Sequence, residues 1–453
     1  MATPTLSTLR RRVVRASAWT VAGYVLSILI RLGSNLLMTR LLIPEMFGVI
    51  AIASMVLYGL AMVSDIGLGP SIVQSKRGSD PLFLNTAWTV QIRRGVLIWL
   101  AALGASLVIG QANRIGIVPA ASVYANRQLP YVIAVMSLGA VVSGFESTKL
   151  FEASRSLAVH RLTQIEIFSQ VVGLLCMLTW VAFDRSIWAL VAGSLGATVA
   201  RTSLSHTWLP GVANRWEWDN AALREIVHFG KWIFLSSILG FLVNSGDRIL
   251  LGAMLNASAL GVYAIAFLLV NSIETLLGKI ISDVSFPALS EVARDRLSDL
   301  KVTYYHFHVV IASFTFLVAG LLMVSGHALV EVLYDHRYDQ AGWMVELLAV
   351  GLLTIPYRVA AQCFMALGKP RLLSNIIVMR LIALFTITPI GFHFFGSWGA
   401  LCSIVLSSFL SLPVTILYAV EHRLFDVRKE CCILLMVLPG IILGKALNLA
   451  LGH

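Results

Sequence analysis

Arginine and asparagine lie four residues apart at two places in the chain, each inside a long apolar stretch. The first pair is Arg31 and Asn35, and the second is Asn244 and Arg248. A spacing of four places both side chains on one face of a helix. A guanidinium group binds phosphate through two parallel hydrogen bonds. These pairs therefore predict a binding site for a negatively charged headgroup.

Two further arginines, Arg358 and Arg380, also lie in apolar stretches. A charge in hydrocarbon costs about a few kcal/mol or more, so such a residue normally faces a wet cavity, a partner or a ligand. We predict that both line the same cavity as the first two pairs. The alternative is a structural ion pair, with Glu346 or Glu274 as the partner.

The first two arginines also have local alternatives. Arg248 is adjacent to Asp247 and can pair with it, whereas Arg31 can extend toward the membrane surface or bond backbone carbonyls. A site that releases its ligand needs a group whose charge changes, and burial favours the neutral form of a carboxyl group. The candidates for such a coupling role, with proton and sodium both open, are Asp65, Asp247, Glu274 and Glu346. Asp65 and Asp283 have a simpler interpretation as residues at helix ends.

The composition shows which elements position these residues. The chain is 58% hydrophobic and 13% charged, with a mean hydropathy of +0.84. A soluble domain is about a quarter charged, so this is an all-α integral membrane protein. Runs of about twenty apolar residues are long enough to cross a bilayer. Twelve spans are predicted at 18–42, 46–69, 88–110, 130–150, 162–183, 186–206, 229–253, 258–282, 305–326, 341–365, 372–395 and 397–420, and segment 431–451 is a thirteenth candidate.

The net charge of +11 indicates topology and not nucleic-acid binding. With a cytoplasmic N-terminus, about twenty Lys and Arg residues fall in the inner connections and about four in the outer ones. Shifting the assignment by one span removes this bias. We therefore predict a multi-pass protein of the plasma membrane whose N-terminus is cytoplasmic.

An internal repeat divides the chain into two halves. Trp19 matches Trp232, which lies 213 residues later, and the same offset aligns the segment 48–53 with the segment 261–266. It also maps Arg31 onto Asn244 and Asn35 onto Arg248. An even number of spans separates equivalent positions, which predicts two parallel six-helix bundles around a central cavity. The predicted divisions are a cytoplasmic N-terminus at 1–17, bundles at 18–210 and 229–422, a linker at 211–228, and a linker with a hydrophobic segment at 423–453.

The residues also limit the chemistry. The five cysteines lie in or near apolar segments without metal-ligand spacing. Nucleotide-binding and zinc-protease motifs are absent, as are a catalytic constellation and a large external loop. We therefore predict a transporter with no catalytic residue, metal or cofactor, and we disfavour a membrane polymerase or ligase.

Several phrases resemble a known family. They are "SDIGLGPSIVQSK" from Ser64, "NSGDRILLGAMLNASALGVYAIA" from Asn244, "FPALSEV" from Phe286 and the segment from Ala16 to Ala53. The chain resembles the polysaccharide transporter, or oligosaccharide flippase, family of the multidrug, oligosaccharidyl-lipid and polysaccharide exporter superfamily, over residues 10–425.

This resemblance implies a function. The expected substrate is an undecaprenyl-diphosphate-linked oligosaccharide that is moved from the cytoplasmic to the periplasmic leaflet of a bacterial inner membrane for exopolysaccharide, capsule or O-antigen synthesis. A polymerase and a chain-length regulator are the implied protein partners. Members often have fourteen spans, and this chain has room for twelve or thirteen. The alternatives are a multidrug or cation antiporter of the same superfamily and a flippase for a peptidoglycan lipid precursor.

Overall fold

The chain folds into helices joined by short turns. The computed structural model describes residues 6–155 and 159–451, and these residues include no strand. The helices before residue 255 are α1 (Leu6–Leu41), α2 (Pro44–Val63), α3 (Leu68–Gln74), α4 (Pro81–Arg114), α5 (Leu129–Met136), α6 (Leu138–Gly144), α7 (Lys149–Arg155), α8 (Val159–Phe183), α9 (Trp188–Thr207) and α10 (Asn220–Met254). Those that follow are α11 (Ala257–Ile280), α12 (Phe286–Asp295), α13 (Leu300–Leu333), α14 (Ala341–Leu352), α15 (Arg358–Ala366), α16 (Pro370–Leu410), α17 (Leu412–Glu421), α18 (Val427–Leu434) and α19 (Val437–Leu451).

The helices form two compact units. Unit 1 contains the residues up to Leu42 together with Val49–Phe241, and unit 2 contains Ile43–Gly48 and the residues from Leu242 onward. Boundaries between the units fall inside α2, after Gly48, and inside α10, after Phe241. The predicted division into two bundles with a linker at 211–228 stays a prediction.

The prediction of an all-α membrane protein is confirmed, but the predicted number of spans is not. Nine stretches of the described chain are long and apolar enough to cross a membrane, or ten if Leu129–Gly144, which contains α5 and α6, forms one bent span with α7. The nine are Ala22–Leu41, Pro44–Val63, Pro81–Arg114, His160–Phe183, Ala257–Asp295, Leu297–Leu333, Ala341–Ala366, Pro370–Glu421 and Val427–Leu451. The predicted spans 186–206 and 229–253 are helical, as α9 and α10, but are outside this set.

Local signals set the helix boundaries. Pro81 opens α4, and Asp80 Oδ1 accepts a hydrogen bond from the backbone N–H of Leu82 at 3.1 Å. Asn256 caps α11 in the same way. Within α16, Gly396 has a φ of 61°, so the backbone turns where the predicted spans 372–395 and 397–420 meet.

Small residues bring the helices of unit 1 close together. A Cβ atom on Gly95 of α4 would lie 2.4 Å from the carbonyl oxygen of Ala140 on α6. One on Gly173 of α8 would lie 2.9 Å from the carbonyl oxygen of Gly193 on α9. Close approach of this kind gives van der Waals contact where lipid offers no hydrophobic driving force between helices.

The C-terminal helix α19 packs along α13 in unit 2 by the same means. A Cβ atom on Gly440 would lie 2.2 Å from the carbonyl oxygen of Leu317. Asn448 Nδ2 also donates a hydrogen bond to the carbonyl of Val324 at 2.9 Å. The hydrophobic segment predicted at 431–451 is therefore an integral part of unit 2.

The internal repeat is visible as a reciprocal contact within unit 2. A Cβ atom on Gly48 of α2 would lie 1.9 Å from the carbonyl oxygen of Ala257, and one on Gly261 of α11 would lie 1.8 Å from that of Pro44. Pro44 and Ala257 are related by the same 213-residue offset as the two glycines. Equivalent residues thus make equivalent contacts.

Candidate functional site

Two adjoining cavities of about 100 and 250 Å³ lie within unit 2. Asn244, Arg358 and Arg380 line both of them, so we treat the two as one site and call it the unit 2 cavity. Its walls come from α10, α11, α14, α15, α16 and α17, with the 3₁₀ turn Ile355–Tyr357 before α15. Three of the six residues predicted to bind the headgroup are therefore brought together.

Arg358 forms an ion pair with Glu274 inside this cavity. Its Nη2 donates to Glu274 Oε1 on α11, and the two side chains are 38% and 32% exposed. This is one of the structural ion pairs that the sequence left open. Glu346, the other candidate partner, accepts a hydrogen bond from the backbone N–H of His327 at 3.1 Å.

Arg380 has a different environment. It lies half-buried on α16, where Glu274 and Asp247 attract its charge and Arg358 repels it. Its guanidinium donates no hydrogen bond to any other residue that the structure describes. Arginine has five N–H donors in a fixed planar arrangement, so Arg380 offers unused donors to the cavity.

Asp247 and Arg248 form a local network on α10. Asp247 is 7% exposed and accepts a hydrogen bond from the hydroxyl of Tyr263. Arg248 Nε lies 3.8 Å from Asp247 Oδ1, and its Nη2 donates to the carbonyl of Asn244 at 2.7 Å. The guanidinium also lies 4.9 Å from the centre of the Phe267 ring. Arg248 thus has the local pairing that was the alternative to a headgroup contact.

The charges in and around the unit 2 cavity do not cancel. Arg248 neutralises Asp247, and Arg358 neutralises Glu274, so the charge of Arg380 is left over. A low dielectric strengthens the attraction of such a charge for an anion. The unit 2 cavity is therefore suited to a negatively charged ligand.

Arg31 and Asn35 lie on α1 in unit 1, where Arg31 is exposed and Asn35 is half-buried. The proposed pairing of Arg31 with Arg248 on opposite sides of a central cavity stays a prediction.

Unit 1 contains a larger cavity of about 690 Å³, which we call the unit 1 cavity. It lies beside the break between α6 and α7, where the helix axis bends by 63°. Gln91 Nε2 lies 3.1 Å from each of the carbonyl oxygens of Ser143, Gly144 and Glu146. Irregular backbone at membrane depth is tolerated where it is buried in protein or lines a cavity. Gln91 therefore stabilises the break.

The two arginines that line the unit 1 cavity have different partners. Arg201 Nε lies 3.2 Å from Glu146, and its Nη1 lies 2.7 Å from Glu166. Arg94 Nη2 donates to the carbonyl of Ala61 at 2.6 Å. The sequence analysis did not single out Arg94, Glu146 or Arg201, although each lies within a predicted span and met the criterion applied to Arg31.

Asp65 also lines the unit 1 cavity, just beyond the end of α2. It accepts hydrogen bonds from the backbone N–H of Gly67 at 2.9 Å and from Ser237 Oγ at 3.1 Å. Asp283 lies in a π-helical turn after α11 and pairs with Lys279 at 3.2 Å. The arrangement of Asp65 fits a residue at a helix end, whereas Asp283 lies within the continuous helical stretch Ala257–Asp295.

A surface ion-pair cluster joins the start of α10 to the connection before α4. Arg77 Nη2 lies 2.8 Å from Asp80 and 3.3 Å from Asp219. The backbone N–H groups of Ala221 and Ala222, together with Arg77, lower the pKa of Asp219 below its ordinary value. This carboxylate is therefore stabilised in its charged form, and it fixes the beginning of α10.

Comparison with known proteins identifies the family. Residues 37–342 match the model of a family described as polysaccharide biosynthesis protein. The lipopolysaccharide biosynthesis protein WzxC of Escherichia coli K12 is 21% identical over 454 residues, covering 98% of this chain and 89% of that protein.

Two solved structures have a similar fold. An inward-facing multidrug-resistance MATE transporter of the MOP superfamily superimposes with a TM-score of 0.71 at 13% identity, covering 89% of this chain and 95% of its own. The lipid II flippase MurJ in an inward closed conformation gives 0.69 at 12% identity, covering 96% and 93%. The family resemblance noted in the sequence is thus confirmed: the chain belongs to the polysaccharide biosynthesis protein family and is a multi-pass membrane protein with the fold of the MOP superfamily.

Proposed function

We propose that the protein is a flippase for undecaprenyl-diphosphate-linked oligosaccharide repeat units. It moves them by alternating access from the cytoplasmic to the periplasmic leaflet of the bacterial inner membrane, for exopolysaccharide, capsule or O-antigen synthesis. Family membership supports a role in polysaccharide biosynthesis. The similarity to WzxC, a lipopolysaccharide biosynthesis protein, supports a lipid-linked saccharide as substrate.

The observation that carries the proposal is the free guanidinium of Arg380 in the unit 2 cavity. A cation held at membrane depth without a hydrogen-bonding partner among the described residues is costly unless a ligand binds to it. A phosphate oxygen is the acceptor that a guanidinium fork fits best. We assign one phosphate of the diphosphate to Arg380.

The second phosphate competes with Glu274 for Arg358. Glu274 Oε1 occupies one guanidinium donor of Arg358 in the ligand-free protein. A phosphate group carries the same charge sign and the same acceptor chemistry as this carboxylate. Binding displaces Glu274, and the return of Glu274 to Arg358 promotes release. Asn244 supplies polar contact at the junction of the two parts of the cavity.

The unit 1 cavity is suited to the saccharide. Two arginines, Arg94 and Arg201, and two acidic residues, Asp65 and Glu146, line it, so its charges balance and it has no strong preference for a net charge. Hydroxyl groups both donate and accept hydrogen bonds, and paired carboxylate and guanidinium groups satisfy both functions. A volume of about 690 Å³ lies within the range of small-molecule sites.

The remaining predicted residues keep defined roles in the proposal. Arg31 and Asn35 of α1 contribute contacts to the headgroup, and Arg248 positions Asp247. Asp65, Asp247 and Glu346 are coupling candidates beside Glu274. The N-terminus is cytoplasmic, as the distribution of basic residues indicates, and a polymerase with a chain-length regulator receives the product.

A cation antiporter is the alternative that the fold allows. A cavity for cationic drugs requires uncompensated acidic or aromatic groups. In the unit 2 cavity, each carboxylate has an arginine partner and one arginine is left over. This charge balance favours an anionic substrate. A peptidoglycan lipid precursor also has a diphosphate, so it is distinguished by its saccharide alone.

The test is deletion of the gene, followed by mass spectrometry of lipid-linked oligosaccharides and measurement of their leaflet accessibility. We expect a diphosphate-linked repeat unit to accumulate in the cytoplasmic leaflet. The wild-type gene and Arg371→Gln restore export, and Arg380→Gln does not. Arg371 is the matched control because it is exposed on the same helix, α16. Unchanged glycolipids with altered drug sensitivity would instead support the antiporter.

A further inference from the structure

A buried cluster of titratable side chains connects the C-terminal span to the wall of the unit 2 cavity. His308 of α13 is fully buried, and the side chain of Glu430 on α18 is 6% exposed. His308 Nε2 lies 3.2 Å from Glu430 Oε2. None of the roles assigned above uses this pair.

Both carboxylate oxygens of Glu430 accept hydrogen bonds from side chains around them. The hydroxyl of Tyr305 donates to Oε1 at 3.1 Å, and that of Tyr357 donates to Oε2 at 3.1 Å. The Tyr305 oxygen accepts a hydrogen bond from the backbone N–H of Asp426 at 2.7 Å, and Glu430 is nearer to the Tyr305 hydroxyl than the Asp426 carbonyl oxygen is, at 3.4 Å. Three donors converging on one carboxyl group stabilise its charged form.

Both ring nitrogens of His308 face acceptors. Nε2 faces the carboxylate of Glu430, and Nδ1 lies 3.2 Å from the carbonyl oxygen of Pro356. A carbonyl oxygen has no proton to give, so Nδ1 satisfies this contact only as a donor. Both nitrogens donate only in the imidazolium form. The geometry therefore describes a protonated histidine paired with a carboxylate.

A second state is available without rearrangement of the backbone. The hydroxyl of Tyr304 lies 3.4 Å from Nδ1, and its ring stacks on the imidazole with centroids 5.1 Å apart. After loss of a proton, Nδ1 accepts a hydrogen bond from Tyr304, and the contact with the Pro356 carbonyl is lost. Proton exchange at His308 thus exchanges one hydrogen-bonding partner for another.

We propose that His308 and Glu430 form a binding site for one proton, and that occupancy of this site is coupled to ligand binding in the unit 2 cavity. The inference rests on the proposed function for the identity of the ligand. The groups that face the pair are Tyr304 and Tyr305 of α13, Tyr357 of the 3₁₀ turn, Cys363 of α15, and Asp426 and Lys429 at the start of α18. Glu291 of α12 and Lys445 of α19 are exposed and stay outside the cluster.

The coupling passes through three consecutive residues. Pro356 and Tyr357 contact the proton site, and the next residue, Arg358, lines the unit 2 cavity. Tyr357 itself also lines the cavity. Because the 3₁₀ turn is short, release of the Pro356 carbonyl alters the position from which Arg358 extends. A phosphate that draws Arg358 away from Glu274 acts on the same turn from the other side.

The test measures protons exchanged on ligand binding. The full chain in lipid nanodiscs is titrated with undecaprenyl diphosphate by calorimetry, in buffers of different ionisation enthalpy at one pH. The dependence of the binding enthalpy on the buffer gives the number of protons exchanged. We expect a change of about one proton for the wild type, and no change for His308→Gln, whose amide still donates to Glu430.

His327→Gln is the matched control, because His327 is exposed on the same helix, α13. We expect it to keep the wild-type proton count. A wild-type proton count in His308→Gln would overturn the proposal.

A second measurement uses wild-type protein only, so it tests the proposal even if His308→Gln does not fold. In wild-type protein labelled with ¹⁵N-histidine, both His308 nitrogens should show the shifts of N–H donors in the ligand-free protein, and a neutral tautomer there would overturn the proposal. If wild-type protein did not bind undecaprenyl diphosphate, the proposed function would fail, and the nitrogen shifts would still test the proton site.

Discussion

Replacing Arg380 with glutamine should weaken binding of the diphosphate headgroup without weakening the fold. Arg380 donates no hydrogen bond within the described part of the chain, so its removal breaks no protein contact of that kind. Glutamine keeps an amide donor on a shorter side chain and has no charge. This position therefore separates affinity from stability.

The size of the effect follows from the chemistry of the lost contact. A hydrogen bond to a charged group contributes about 1.5–3 kcal/mol. Glu274 keeps Arg358 as its ion-pair partner in this variant, so the substitution does not leave a buried carboxylate without a partner. We therefore expect affinity for undecaprenyl diphosphate to fall about ten- to 150-fold. Arg358→Gln should behave differently, because it leaves Glu274 without its ion-pair partner and so lowers thermal stability as well.

Both quantities can be measured on the same samples. Native mass spectrometry in nanodiscs gives the fraction of protein bound to undecaprenyl diphosphate, and intrinsic fluorescence on heating gives the unfolding midpoint. Arg371→Gln is the control on α16. The reasoning would be refuted if Arg380→Gln bound the lipid as tightly as the wild type, or if it lowered the unfolding midpoint as much as Arg358→Gln did.

Four further outcomes are expected. Glu274→Gln frees Arg358, so undecaprenyl diphosphate should bind more tightly while export of repeat units slows, as measured by binding and by complementation of the deletion strain. Gln91→Leu removes the donors that hold the break between α6 and α7, so hydrogen exchange of residues 143–149 should speed up, and unchanged exchange would contradict the assigned role. Gly440→Leu overfills the contact of α19 with α13 and should cost about 1–3 kcal/mol of stability, whereas Gly33→Leu, with open space at its Cβ, should not. Asp219 has a lowered pKa, so its stabilising contribution is present above its ordinary value of 3.8 and is lost as the pH falls toward its folded value; Asp219→Asn should flatten this acid limb in thermal unfolding.

The sequence predicted the membrane class and most helices because apolar runs are long and local in the chain. The predicted spans that the structure does not reproduce as separate apolar spans have physical causes. Helices α9 and α10 contain charged residues such as Arg201 and Arg248, and both of these arginines are paired with carboxylates. The predicted spans 372–395 and 397–420 are close in sequence, and the left-handed backbone of Gly396 turns the chain between them.

The site was predicted less completely than the fold. Their position inside apolar stretches indicated that Arg358 and Arg380 are intramembrane charges, but the partner of Arg358 is 84 residues away in sequence. Such a pairing depends on which helices pack together, and periodicity does not determine that. For the same reason the sequence did not distinguish Arg248, which is locally paired, from Arg380, which has free donors. His308 and Glu430 lie 122 residues apart and gave no local signal.

The reciprocal contact of Gly48 and Gly261 limits how the protein can diverge over time. At either position, any heavier side chain would overlap a carbonyl oxygen of the facing helix at less than 2 Å, so a change at one cannot be offset by a change at the other. In a library of random functional variants, both codons should stay invariant while their neighbours vary. Sequence drift between the two copies of the repeat is thus restricted at this pair of equivalent positions.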